Sequence, residues 1–152
     1  SHGQGIRGKV LRPRIEEVKE FTTYAPAAVH GGGSFRSYMF PEITVTDLGE
    51  KLKSEEEFIL LDVRELSELE QAKLTDSRLQ VTPMSRLGQE GVNALSEAVQ
   101  SQQIPVYILC HHGSRSMQVT GWLLQQGYKN VFNVRGGIDE YARRVDASVG
   151  FY

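Results

Sequence analysis

Residues 106–116 read Val-Tyr-Ile-Leu-Cys-His-His-Gly-Ser-Arg-Ser, an apolar run that passes into a loop of small and polar residues. The run Val106–Leu109 predicts a strand buried on both faces, which is typical of a parallel sheet. A helix is predicted after the loop, over residues 117–126, and Gly127 ends it. Strand, loop and helix in this order form the repeating unit of an α/β fold.

The same alternation of strands and helices extends over the chain from residue 43 onward. Further strands are predicted at 43–45, 58–63, 79–81 and 131–134. Further helices are predicted up to residue 53 with Thr46 or Asp47 as the cap, over 65–74, over 91–102, and after Gly136 and Gly137. Strands that alternate with helices at this spacing predict a parallel sheet with helices on both faces.

Composition sets the broad class of the protein. The 152 residues carry a net charge of -2 with 39% hydrophobic residues, which fits one soluble domain. This charge gives no field that attracts nucleic acid, and no apolar run approaches the ~20 residues that span a bilayer. We therefore expect neither a nucleic-acid nor a membrane partner. A single cysteine forms no internal disulfide and suits a reducing compartment.

Residues 1–41 differ from the rest of the chain because they are rich in glycine and proline and lack sustained periodicity. We predict a mostly irregular arm there, with one short helical piece at 15–21 and scattered basic residues that are solvated. The first residue is Ser rather than Met, so the first residues are interpreted as an expression remnant or as a cut from a longer precursor. Residues 42–152 are predicted to form the folded domain.

Cys110 follows the strand, at the sheet edge where ligands of open α/β sheets bind. The small residues Gly113, Ser114 and Ser116 let the backbone aim several N–H groups inward, directly before a helix. Together with the charge of Arg115, these donors would favour the thiolate, which makes Cys110 a candidate nucleophile. A lone cysteine at the end of a buried strand can also be a small apolar core residue. The four-residue spacing between Cys110 and Arg115 favours the functional interpretation.

Four segments together resemble the rhodanese (sulfurtransferase) domain family: the Cys110 loop, Leu-Asp-Val-Arg-Glu at 61–65, Gly-Tyr-Lys-Asn-Val at 127–131 and Gly-Gly-Ile at 136–138. The resemblance implies a three-layer α/β/α fold with a five-stranded parallel sheet in the order 1-5-4-2-3. It also implies that Cys110 carries a sulfane sulfur as a persulfide. The N–H groups of residues 111–115 would hold the outer sulfur, and Arg115 would contribute charge and anchor the loop.

The implied reaction moves sulfur from thiosulfate or a related small anion to cyanide or a thiol, with no metal and no cofactor. Two alternatives stay open. Phosphatases of the same fold place five residues between cysteine and arginine, whereas this chain has four. A rhodanese-like module without turnover is the other alternative, either as a partner-binding domain or as a redox sensor with an accessible thiol.

The remaining candidates surround this loop. His111 and His112 are candidate guides for an anionic donor when they are protonated. Asp62 is expected to brace the loop, and Arg64 to pair with Glu65 or a helix acid. The chain departs from the family pattern at two points. A His-Ile-Pro-Gly-Ala segment is missing after residue 65, and Tyr141 stands where many members have Trp. Segments at 115–119, 130–134 and 145–148 are similar to the subgroup of cyanobacteria and plant plastids, which suggests the plastid stroma, with the cytoplasm as the alternative.

Overall fold

The computed structural model describes residues 40–152. The predicted helix at 15–21 and nearly all of the predicted N-terminal arm lie outside these residues.

Five parallel strands form one sheet in the order β1-β5-β4-β2-β3. The strands are β1 (Glu42–Ile43), β2 (Ile59–Asp62), β3 (Leu79–Val81), β4 (Val106–Leu109) and β5 (Val131–Val134). The predicted strand order is confirmed. The register pairs Asp62 with Leu109 across β2 and β4. Residues that follow these two strands therefore emerge side by side at one edge of the sheet.

Within residues 40–152, five α-helices and three short 3₁₀ turns flank the strands. The helices are α1 (Val45–Leu52), α2 (Met84–Glu90), α3 (Glu97–Ser101), α4 (Ser114–Gln125) and α5 (Gly137–Arg144), and the 3₁₀ turns are Leu66–Glu70, Gly91–Ala94 and Ala147–Val149. The predicted cap of the first helix is wrong. Thr44 is the cap, because its Oγ1 accepts the N–H of Asp47 at 3.1 Å.

Within the predicted helix over 65–74, the structure has only the 3₁₀ turn Leu66–Glu70. Next to this turn, the Arg64 Nη1 donates to the carbonyls of Glu68 and Ala72, at 3.4 and 2.9 Å, and so fixes the path of the chain there. The predicted helix over 91–102 is also interrupted. Gly91 adopts φ 63°, and Ser96 caps the separate helix α3. Helix α2 was not predicted, and α4 begins at Ser114, three residues before its predicted start.

Apolar side chains form two clusters, one on each face of the sheet. Helices α2, α3 and α4 cover one face, where Leu87, Val99 and Trp122 pack against Leu61 and Ile108. Helices α1 and α5 cover the other, packing against alternate residues of the same strands, and Leu48, Ile138, Tyr141, Leu60 and Leu109 lie there. The three-layer α/β/α architecture is confirmed. Within residues 40–152, no helix is both long and apolar enough to cross a membrane.

Candidate active site

Cys110 lies at the carboxyl end of β4 and is 1% exposed. Its Sγ accepts hydrogen bonds from the N–H groups of Gly113 at 3.1 Å and Ser116 at 3.3 Å. Gly113 belongs to the predicted donor set of residues 111–115, whereas Ser116 lies one residue beyond it. Two N–H groups directed at one sulfur stabilise negative charge there. The burial contradicts the accessible thiol on which the redox-sensor alternative depends.

The loop keeps this shape because the Gly136–Gly137 segment presses against it. Cys110 and His111 use their carbonyls to accept the N–H groups of Ile138 at 2.9 Å and Asp139 at 3.0 Å. A Cβ on Gly137 would overlap the carbonyl of His111. Gly113 adopts φ 103°, and a Cβ on it would lie 2.9 Å from the N atom of Gly136. Glycine is therefore required on both sides of this contact.

Asn133 belongs to the site because it forms a hydrogen bond with Ser116, and it was not predicted from the sequence. The Ser116 Oγ donates to Asn133 Oδ1 at 2.6 Å and lies 3.3 Å from the Cys110 Sγ. A hydroxyl has a single proton. The contact with sulfur is therefore a hydrogen bond only when the thiol donates, or when the hydroxyl turns from Asn133 to a thiolate. The signal available in the sequence was a polar residue within β5, the strand that the implied order places beside β4.

Arg115 forms a bidentate ion pair with Glu68. The Nη1–Oε2 distance is 2.7 Å, and the Nη2–Oε1 distance is 2.9 Å. The hydrogen bonds from Arg115 lower the pKa of Glu68 to about 2, and the same contact raises the pKa of Arg115. The pair ties the first turn of α4 to the 3₁₀ turn that follows β2. Glu68 was not predicted, because an acid within a charged segment carries no distinctive pattern.

Arg64 and Asp62 form a second ion pair, in which both side chains are buried. Nη2 of Arg64 lies 2.8 Å from Asp62 Oδ2, and the Arg64 N–H donates to Asp62 Oδ1. The prediction that Arg64 pairs with Glu65 or a helix acid is wrong, since Glu65 instead accepts from Ser85. Asp62 contacts Arg64, so any brace that it gives the Cys110 loop is indirect.

An aromatic stack covers one side of the loop. The ring centroids of Tyr152 and His111 lie 3.7 Å apart, with an interplanar angle of 6°. The ring centroid of His112 lies 3.8 Å from that of His111. The Tyr152 hydroxyl donates to Glu68 at 2.8 Å and accepts from Arg64 at 3.1 Å. Burial, then the nearby His112, lower the pKa of His111, which favours its neutral form.

Two residues singled out in the sequence occupy other positions. Ser114 is exposed and begins α4, so its N–H belongs to a first helical turn, whose donors have no acceptor within the helix. Tyr141, which stands where many relatives carry Trp, is buried in the core cluster of α1 and α5. Tyr152 is the tyrosine that contacts the loop.

The fold and the loop define a class: parallel α/β domains in which a cysteine at a strand end is held by loop and helix N–H groups. The family model of the rhodanese-like domain matches residues 44–144. The chain belongs to this family.

The relatives carry names from sulfur chemistry. A sulfurtransferase of Allochromatium vinosum is 35% identical over 105 residues, which cover 69% of this chain and 91% of that protein. The chloroplastic Rhodanese-like/PpiC domain-containing protein 12 of Arabidopsis thaliana is 36% identical over 114 residues. That match covers 73% of this chain, but the chain spans only 37% of the Arabidopsis protein.

Solved structures agree on the fold. A rhodanese-related protein of Thermoplasma volcanium matches with a TM-score of 0.54 and 27% identity, over 70% of this chain and 94% of that one. A Rhodopseudomonas palustris protein, described as a possible tyrosine phosphatase of unknown function, matches with a TM-score of 0.61 over 95% of this chain and 97% of that one. Its identity is 17%, so this likeness concerns the fold alone.

Proposed function

We propose that the protein is a sulfurtransferase that moves a sulfane sulfur from thiosulfate, or a similar small anion, to cyanide or a thiol. One observation carries the proposal: the Cys110 sulfur lies at the base of a four-residue loop and accepts two N–H groups. A thiolate and a persulfide both need such donors, since both concentrate negative charge on sulfur.

The first half-reaction transfers sulfur to the enzyme. The Cys110 thiolate attacks the outer sulfur of thiosulfate and forms a new S–S bond. The S–S bond within thiosulfate breaks, and its electron pair leaves with sulfite. The outer sulfur of the persulfide then accepts N–H groups from the loop and from the first turn of α4, where Ser114 and Arg115 lie.

The second half-reaction returns the enzyme to its starting state. Cyanide or a thiolate attacks the outer sulfur of the Cys110 persulfide, and the S–S bond breaks with its electron pair on the Cys110 sulfur. Thiocyanate or a new persulfide leaves. No proton transfer to the leaving group is needed, because sulfite and the Cys110 thiolate both leave as anions. No step depends on a metal or a cofactor.

The burial of Cys110 bears on the choice between functions. A thiol that is 1% exposed favours a small donor that can enter the loop. It disfavours a sensor whose oxidants are bulkier than thiosulfate. The four residues between Cys110 and Arg115 form a smaller ring than phosphatases use for a tetrahedral oxyanion. Burial and loop length therefore favour sulfur transfer over redox sensing and over a phosphatase.

A plastid location is a further part of the proposal, supported by the chloroplastic Arabidopsis relative. Fractionation of source cells tests it. Recovery of the protein with the plastid stroma supports this location, and recovery only with the cytosol contradicts it.

A sulfite-release experiment tests the reaction. The purified protein is mixed with thiosulfate without an acceptor, and sulfite is measured over time. We expect a burst of one sulfite per protein molecule, followed by steady turnover once cyanide is added. Cys110→Ser should give no burst, whereas Ser77→Ala, a change at an exposed position outside the loop, should keep it. A burst that survives in Cys110→Ser would contradict the proposal.

A further inference from the structure

Three metal-ligating side chains gather at the rim of the Cys110 loop. His111 and His112 come from the loop itself, and Asp139 comes from the first turn of α5. One ligand atom from each of the three residues lies within 4.8 Å of the other two. The steps proposed for sulfur transfer do not involve these three side chains.

An unpartnered atom gives independent reason to regard the cluster as a binding site. Among residues 40–152, the Nε2 atom of His111 is buried and has no hydrogen-bond partner. Buried polar atoms are rarely left in this state. A bound cation would supply the missing partner, because a neutral imidazole nitrogen donates its lone pair to a metal ion.

The backbone holds the two contributing segments together. The N–H of Asp139 donates to the His111 carbonyl at 3.0 Å. The N–H of the preceding residue, Ile138, donates to the Cys110 carbonyl. Ligands from two segments that are joined in this way need only side-chain rotations to close around an ion. Tyr152 stacks on the other face of His111 and limits the movement of that ring.

Arg143 is the group that competes for this site. Its Nε donates to Asp139 Oδ2 at 2.9 Å, as an i,i+4 pair on α5. The Arg143 side chain is 63% exposed, and pairs of this kind are weak. A divalent ion that also binds two imidazoles should displace it.

We propose that His111, His112 and Asp139 form a binding site for a divalent transition-metal ion such as Zn²⁺. Two imidazoles and one carboxylate suit zinc and its neighbours in the first row better than Mg²⁺ or Ca²⁺, which prefer oxygen ligands. Three protein ligands leave at least one coordination position for water or an incoming anion. The ion would lie beside the Cys110 loop, so a bound metal should change the rate of sulfur transfer there.

The test is carried out in a background that removes other ligands. The full chain carries Cys110→Ser, together with His2→Gln and His30→Gln, because the protein contains four histidines and one cysteine. Zn²⁺ is titrated by calorimetry, and Co²⁺ is titrated by its visible absorption. We expect one equivalent of each metal to bind, and the cobalt spectrum to show nitrogen and oxygen ligands without thiolate bands.

Variants at the cluster decide the outcome. His112→Gln and Asp139→Asn should each weaken Zn²⁺ binding by more than the roughly 10- to 100-fold that the loss of an outer-shell partner costs. Arg143→Gln should instead tighten binding, because it removes the competing cation. Circular dichroism checks that each variant is folded.

Two results would overturn the site: no saturable Zn²⁺ binding in the background chain, or binding that His112→Gln and Asp139→Asn leave unchanged. Neither result depends on sulfite release, so the metal site and the sulfurtransferase proposal can fail separately.

Discussion

Two arginine–carboxylate pairs lie at the same edge of the sheet, and they differ in solvent exposure. In the pair that follows β2, the Arg64 and Asp62 side chains are 0% and 1% exposed. In the pair that joins the start of α4 to the 3₁₀ turn Leu66–Glu70, the Arg115 and Glu68 side chains are 32% and 20% exposed. The Tyr152 hydroxyl contacts both pairs.

The difference in exposure separates two uses of the same chemistry. Arg64 donates hydrogen bonds to Asp62 and to backbone carbonyls, so it fixes the path of the chain after β2. Arg115 has one side-chain partner, at the rim of the loop that contains Cys110. We therefore assign Arg64 mainly to stability and Arg115 mainly to function, and matched substitutions can separate the two roles.

The largest expected effect is on stability, from Arg64→Met. This change leaves the Asp62 carboxylate buried without its partner, which costs about 3 to 5 kcal/mol. Urea unfolding measures the loss. The double variant Asp62→Leu with Arg64→Met should recover part of it, because no charge is then left unpaired. A single variant that unfolds like the wild type would remove the contrast between the two pairs.

Arg115→Met, the matched change at the exposed pair, should act on the reaction instead. We expect kcat/KM for thiosulfate to fall by about 100-fold or more, since one charged stabiliser of the anionic sulfur is lost. The free energy of unfolding should fall by only about 1 to 2 kcal/mol, because a partly exposed pair contributes less than a buried one. Steady-state kinetics and urea unfolding on one preparation give both values. Equal activity in Arg115→Met and the wild type would contradict the assignment.

The Glu68 pair should contribute a pH-dependent part of the stability. Arg115 lowers the pKa of Glu68 from 4.5 to about 2, so the contribution is complete above the unfolded value and is lost as the pH falls through about 2. After allowance for solvent screening, we expect roughly 1 to 2 kcal/mol. The wild type minus Glu68→Gln difference in unfolding free energy, measured from about pH 5 down to pH 2, should shrink by that amount. A difference that is constant with pH would show that the pair is not formed.

The smallest expected effect comes from Tyr152→Phe. The change removes the hydroxyl that joins the two pairs but keeps the ring that stacks on His111. The hydroxyl makes two hydrogen bonds, but Tyr152 is 37% exposed and water can replace them, so we expect the free energy of unfolding to fall by only about 0.5 to 1.5 kcal/mol. Tyr152→Ala should cost more than Tyr152→Phe in the same unfolding experiment, because it also removes the stack. Equal values for the two variants would show that the ring contributes nothing.

The parts of the fold that sequence reasoning predicted depend on local patterns. Short apolar runs marked β2, β4 and β5, and the small residues around Gly113 marked the loop, because these signals need only neighbouring residues. The strand order came from the resemblance to a family. The prediction of a helix over 65–74 was wrong, because the buried Arg64 side chain fixes the path of the chain there, and its burial depends on tertiary packing.

The site was less predictable than the fold. Cys110, Gly113 and Ser116 are close in sequence, so one segment contained them all. Glu68, Asn133 and Tyr152 reach the loop from three other segments. Glu68 lies 47 residues from Arg115, which it contacts, and Tyr152 lies 41 residues from His111. Such contacts are set by tertiary packing, which a single sequence does not reveal.

The most direct measurement of the central claim is the intact mass of the protein after incubation with thiosulfate, beside Cys110→Ser. The account predicts that the wild type alone gains one sulfur atom, that peptide mapping places it on Cys110, and that cyanide or a thiol removes it. A wild type that gains no sulfur, or a Cys110→Ser variant that gains as much, would contradict Cys110 as the sulfur carrier.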